Sequence, residues 1–129
     1  MKIVGIGLDI VEIARIDDII GRHGSRFLER VFAEPERRYC STLRTASRCY
    51  AARFAAKEAA SKALGTGIGE HAGWLDLVVE RSTTGKPSLK LSGEAAKFAA
   101  RMGISEILIS LTHSDHYAAA QAIAVSAED

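Results

Sequence analysis

Residues 3 to 10, Ile-Val-Gly-Ile-Gly-Leu-Asp-Ile, alternate strictly, with Val4, Ile6, Leu8 and Ile10 on one face and Ile3, Gly5, Gly7 and Asp9 on the other. A period of two specifies a β-strand. Beyond Ile3 the second face is nearly bare, so something can approach its backbone closely. The one polar group on that face is the Asp9 carboxylate, which suits a binding site and suits equally a cap on the helix that follows.

From Glu12 onward Ile13, Ile16, Ile19 and Ile20 recur at helical spacing until about Gly21, and a short second helix is expected from Ser25 to about Val31. Pro35 can open a third helix at its first turn. A long central helix is expected from about Ser47 to Leu64, stopped by Gly65. Leu75 to Arg81 reads as a strand, Ser82 to Pro87 as a turn and Ser88 to Leu91 as the returning strand. A helix from Ser92 or Gly93 to about Met102 follows. The last third gives two apolar runs, Ile107–Leu111 and Tyr117–Val125, around a polar Thr-His-Ser-Asp-His, most simply a hairpin. The alanines of the second run have poor strand propensity, which leaves a helix open there. This order predicts an α+β fold, an antiparallel sheet with helices packed on one face, in a single domain over residues 1–129.

Composition sets bounds on function. A net charge of +1 gives no general case for nucleic acid or an anionic membrane, so an acidic partner must be met by a local patch. Asp9 and Glu12 interrupt the apolar start well short of a signal peptide or a membrane span, and the chain is expected to be cytoplasmic. Cys40 and Cys49, nine apart, match neither a CxxC pair nor a disulfide framework and are expected to be reduced thiols.

The central helix carries more charge than packing needs. Ala52, Ala55, Ala56, Ala59 and Ala63 share one sector and let the helix lie close to a sheet, while Arg53 and Lys57 line one stripe and Phe54, Glu58 and Lys62 another. Glu58 and Lys62 would make an ordinary i,i+4 pair. However, Glu58 is the only acid between Glu36 and Glu70, in a stretch crowded with Arg44, Arg48, Arg53, Lys57 and Lys62. Two carboxylates, Asp9 and Glu58, among cations are the hard oxygen donors of a Mg²⁺–phosphate site. Rival motifs fail: Ile10 stands where a dinucleotide fingerprint needs its third glycine, and Gly85-Lys86 is followed by Pro87 rather than Ser or Thr. His113 and His116 lack a third ligand for a transition metal.

Taken together, GIGLDIVEIARI near the start, RFAAKEAASKALGTGIG in the middle, GKP in a turn and ISLTHSDHYAAAQAI near the end resemble the holo-[acyl-carrier-protein] synthase family, the small 4′-phosphopantetheinyl transferases. The resemblance implies Mg²⁺-dependent transfer of 4′-phosphopantetheine from coenzyme A to a serine of apo-acyl carrier protein, serving fatty acid synthesis and leaving adenosine 3′,5′-bisphosphate, with no covalent enzyme intermediate. By motif position Asp9 and Glu58 would ligate the metal. Lys62 would meet a phosphate oxygen, and either Glu58 or a metal-bound water would be the base. Arg53 would help hold the 3′-phosphate, Gly85, Lys86 and Pro87 would border the adenosine, and His113 would lie near the nucleotide phosphates. The family is typically homotrimeric with interfacial active sites, so these residues can come from two chains.

Arg15, Arg22, Arg26 and Arg30 cluster in the first two expected helices and would receive the acidic carrier protein, with Arg15 matching the family's basic residue there. His116 is expected at the surface. Arg44 and Arg48 are candidates only for the 3′-phosphate, and Lys57 has no assigned role. A metal-dependent phosphohydrolase acting on a nucleotide or diphosphate ester through the same two carboxylates is the competing reading.

Overall fold

The computed structural model describes residues 1–128. The elements run β1 (Lys2–Glu12), α1 (Ile13–His23), α2 (Ser25–Val31), α3 (Glu34–Ser41), α4 (Ala46–Leu64), a 3₁₀ turn (Trp74–Asp76), β2 (Leu77–Arg81), β3 (Pro87–Leu91), α5 (Gly93–Arg101), β4 (Glu106–His113) and β5 (Tyr117–Ser126). β1, β5 and β4 form an antiparallel sheet in that order, and β2 and β3 form a separate two-stranded hairpin. The expected hairpin of the last third is β4–β5, so residues 117–126 are strand and not helix.

What approaches the bare face of β1 is α4 itself. A Cβ on Gly5 would stand 2.0 Å from the carbonyl oxygen of Ala63, and one on Gly7 would stand 1.9 Å from that of Ala59. Only glycine admits a helix backbone this close. β5 meets the same helix with Ala118, Ala120, Ala122 and Ala124, all buried, and α4 answers with Ala55, Ala56, Ala59, Ala60 and Ala63. This explains an alanine-rich strand: packing distance, not strand propensity, selects the residue.

The opposite face of β1 points away from this core. Ile6, Leu8 and Ile10 are 67%, 66% and 65% exposed, and Leu108 on β4 is also exposed. Register brings Ile6 and Leu108 to the same residue of β5, Ile123, which makes the strip continuous across the sheet. Apolar patches of this kind mark contact surfaces in soluble proteins. Among the described residues no helix is long and apolar enough to cross a membrane.

The cysteines differ from expectation. Cys40 and Cys49 are joined in a disulfide, because the chain turns back between α3 and α4 and brings their Cα atoms to 5.5 Å. A spacing of nine residues gives no hint of that return.

Candidate active site

β1 and α4 together build the first cluster. The close approach at Gly5 and Gly7 continues one rung to Asp9, where Lys62 of α4 reaches across and donates from Nζ to the Leu8 carbonyl at 2.9 Å and to Asp9 Oδ1 at 3.2 Å. Asp9 is mostly covered, its side chain 19% exposed. Glu58, one turn before Lys62, does not form the i,i+4 pair with it. The Glu58 carboxylate has no hydrogen-bond or ion-pair partner among the described residues. Burial pushes its pKa upward, Asp9 pushes it the same way, and Lys62 and Arg15 pull it back. Two carboxylates thus lie near enough to repel each other, with Arg15 of α1 brought into the same field.

This donor set fits a hard divalent cation. Among the described residues no group of three His, Cys, Asp or Glu side chains gathers for a metal. Two carboxylates whose remaining positions are left to water and phosphate oxygens are how Mg²⁺ is commonly held.

The second cluster lies on the other flank of α4. A cavity of about 300 Å³ opens between α3, α4, the β2–β3 turn and the end of β4, with Arg48, Arg53, Arg81, Gly85, Pro87 and His113 in its wall. Arg53 is only 5% exposed, yet among the described residues no carboxylate touches it. Its guanidinium lies 4.8 Å from the centre of the Tyr39 ring, and its Nη1 faces Cys49 Sγ at 2.9 Å and Cys40 Sγ at 3.4 Å. Its Nε is buried with no hydrogen-bond partner. Burial lowers the Arg53 pKa, Glu36 and Tyr39 oppose that, and the nearby Arg81 adds to it. An arginine remains charged under such pressure. The buried Arg53 guanidinium thus shares the wall of this cavity with two more arginines, Arg48 and Arg81.

The remaining candidates divide. Lys86 is exposed in the turn and is not part of the cavity wall, whereas its neighbours Gly85 and Pro87 are. Arg44 lies in a second, open cavity of about 670 Å³ near the start of α1, which it shares with Arg48. His116 is exposed, and its carbonyl accepts from Ile13 N at 2.9 Å. Arg22 is held by Asp18 at 3.1 Å on the exposed side of α1, while Arg26 and Arg30 are exposed on α2. Tyr39 and Arg81 were missed in the sequence. Arg81 Nη1 donates to Tyr39 Oη at 2.7 Å and its guanidinium stacks 5.1 Å from the same ring, so the two arginines flank one tyrosine. No local pattern announces a contact between residues 42 apart.

Residues 5–122 match the family model of the 4′-phosphopantetheinyl transferase superfamily. The holo-[acyl-carrier-protein] synthase of Anaeromyxobacter dehalogenans is 53% identical over 124 residues, covering 94% of each chain. That of Vibrio parahaemolyticus is 46% identical, covering 95% of this chain and 98% of its own. Among solved structures, the Neisseria meningitidis holo-[acyl-carrier-protein] synthase superposes with a TM-score of 0.90 at 30% identity, over 96% of this chain and 99% of that one. The Helicobacter pylori enzyme, solved in complex with coenzyme A, gives 0.83 at 34% identity, over 93% and 99%. With near-complete coverage by relatives this similar, the chain belongs to the holo-[acyl-carrier-protein] synthases, within the 4′-phosphopantetheinyl transferase superfamily.

Proposed function

We propose that this transferase holds the diphosphate of coenzyme A at Asp9, Glu58 and Lys62 with Mg²⁺, and its 3′-phosphate in the cavity around Arg53. The pantetheine phosphate then passes to a serine of apo-acyl carrier protein, with release of adenosine 3′,5′-bisphosphate. The observation that carries this reading is the buried Arg53 guanidinium, which among the described residues has an unbonded Nε and no carboxylate partner. A 3′-phosphate supplies the charge and acceptors that the cavity lacks.

Asp9 and Glu58 would hold a Mg²⁺ ion, which would supply positive charge to the diphosphate oxygens and so favour attack at phosphorus. Glu58, raised in pKa and free of protein hydrogen bonds, takes the serine proton on a carboxylate oxygen. The serine oxygen bonds to the pantetheine phosphorus as the bond to the bridging oxygen breaks. Lys62, half exposed beside Asp9, is placed to stabilise charge growing on the departing phosphate. Coenzyme A consumption measured with and without apo-carrier protein tests this. Consumption that needs the carrier protein supports transfer, and equal consumption without it means hydrolysis.

We read the working assembly as a homotrimer whose active sites combine two chains. The exposed strip of Ile6, Leu8 and Ile10 gives copies of the chain a surface to bury. Introducing Ile6→Lys with Leu8→Lys is expected to yield monomers in analytical ultracentrifugation with most activity lost; a fully active monomer would sink the shared-site reading.

For the carrier protein, Arg15 is the basic residue whose charge reaches Glu58, whereas Arg22 is already paired with Asp18. Arg15→Ala is therefore expected to raise the KM for apo-carrier protein roughly tenfold, with Arg22→Ala weaker and both effects shrinking as salt is added. Steady-state kinetics at two ionic strengths checks the order.

A further inference from the structure

Lys57, beside Glu58 on α4, is fully buried although it carries a charge. Its Nζ makes three donations: to Glu36 Oε1 at 2.7 Å, to the Leu77 carbonyl at 2.6 Å and to the Trp74 carbonyl at 3.1 Å. Glu36 is equally engaged. Its Oε1 also accepts from Ala33 N at 2.9 Å, and its Oε2 accepts from Val79 N at 3.0 Å. A buried ion pair is a weak source of stability, since a well-packed apolar pair often serves as well or better. Here the pair sits against an alanine-lined helix and the Phe32 ring, where apolar side chains would pack readily.

What distinguishes the pair is what it grips. β2 and β3 share no ladder with the main sheet, and a two-stranded hairpin has little independent stability. Lys57 and Glu36 take hold of β2 at the carbonyl of Leu77 and the N–H of Val79, and of the turn before it at Trp74. Two residues beyond Val79 stands Arg81, and then the turn with Gly85 and Pro87, all in the wall of the Arg53 cavity. Glu36 is also one turn from Tyr39 on α3, the ring between the two arginines. Lys57 itself lies one turn beyond Arg53 on α4.

We infer that the Glu36–Lys57 pair is a positioning unit for nucleotide binding. It fixes the β2–β3 hairpin and α3 against α4 so that Arg81, Tyr39 and the Gly85–Pro87 turn close on the anion held by Arg53. Neither residue reaches the cavity, and both act through backbone atoms of β2. The inference rests on the reading of that cavity as the 3′-phosphate site of coenzyme A.

The test compares coenzyme A with dephospho-coenzyme A, which lacks the 3′-phosphate, as substrates of the full-length protein. The variants are Glu36→Leu with Lys57→Met, which replaces the pair by apolar side chains, and Glu36→Gln, which keeps an acceptor for Lys57 and turns an amide NH₂ toward Val79 N. In the double variant KM for coenzyme A is expected to rise roughly tenfold with kcat within a factor of about three, the effect of a charge-assisted contact made slack. The preference for coenzyme A over dephospho-coenzyme A should fall by the same factor, and Glu36→Gln should move both quantities part of the way. If the double variant does not fold, Glu36→Gln alone decides. A folded variant that keeps the wild-type preference and KM shows the pair to be merely structural and overturns the inference, as does a loss confined to kcat. A wild-type protein that does not distinguish the two substrates overturns the 3′-phosphate reading and this inference with it.

Discussion

Glu58→Gln is expected to abolish carrier-protein modification while making the protein more stable. The variant keeps the size and polarity of the side chain but removes the charge proposed to hold the metal and the carboxylate proposed to take the serine proton. A loss of about 10³-fold or more in turnover follows, within the usual range for a missing acid–base group before the metal is counted. The stability gain follows from the pKa. Burial first and Asp9 second raise the Glu58 pKa above its ordinary value. A carboxyl raised in the folded state contributes stability that is fully present below its unfolded pKa and lost as pH rises through the folded one. At neutral pH without a cation, the ionised Glu58 therefore burdens the fold, and glutamine relieves it. In chelator the Tm of Glu58→Gln should exceed that of wild type at pH 7, with the gap closing as pH falls below the ordinary carboxylate range. Thermal unfolding at several pH values, beside turnover, checks both parts. Retained turnover, or a gap that does not shrink in acid, would contradict them.

Gly7→Ala is the substitution expected to damage the fold most. The added Cβ would meet the Ala59 carbonyl oxygen at 1.9 Å and its carbon at 2.8 Å, and these are backbone atoms of α4 with no rotamer to give way. α4 must move off β1, which opens the alanine contacts with β5 as well. The expected loss is about 3 kcal/mol, the upper end of what overpacking costs. Activity should fall further than stability alone dictates, because the same displacement carries Glu58 and Lys62 away from Asp9. Urea unfolding with a parallel activity measurement checks this. An unchanged midpoint would mean the helix does not sit where the geometry puts it.

These two sites also show what the sequence made legible. The strict alternation of residues 3–10 announced β1, and the bare face announced a close approach, but not that α4 was the visitor. That contact joins residues more than fifty apart, and local periodicity carries no such information. α4 was legible to within a residue of its start because alanine density, a charged stripe and Gly65 agree. The alanines of β5 spoke against a strand, and only the proximity of α4 explains them. Asp9, Glu58 and Lys62 stood out as acids and a base in unusual company, and the fold brings Lys62 onto Asp9 rather than onto Glu58.

Lys57 shares a helical stripe with Arg53, and the sequence alone assigns it no role. The structure separates them by partner: among the described residues Arg53 touches no carboxylate, and Lys57 is paired with Glu36, 21 residues away. The same limit hid the Cys40–Cys49 bond and the Tyr39–Arg81 contact, each made where α3 folds back toward other elements.

Intact-mass spectrometry of apo-acyl carrier protein, incubated with this protein and coenzyme A in Mg²⁺ or in excess chelator, tests the account most directly. The predicted result is a single 4′-phosphopantetheine adduct on one serine in Mg²⁺ and none in chelator, with Asp9→Ala and Glu58→Ala leaving the carrier unmodified. An unmodified carrier in Mg²⁺, or equal modification in chelator, would contradict the assignment of the two carboxylates.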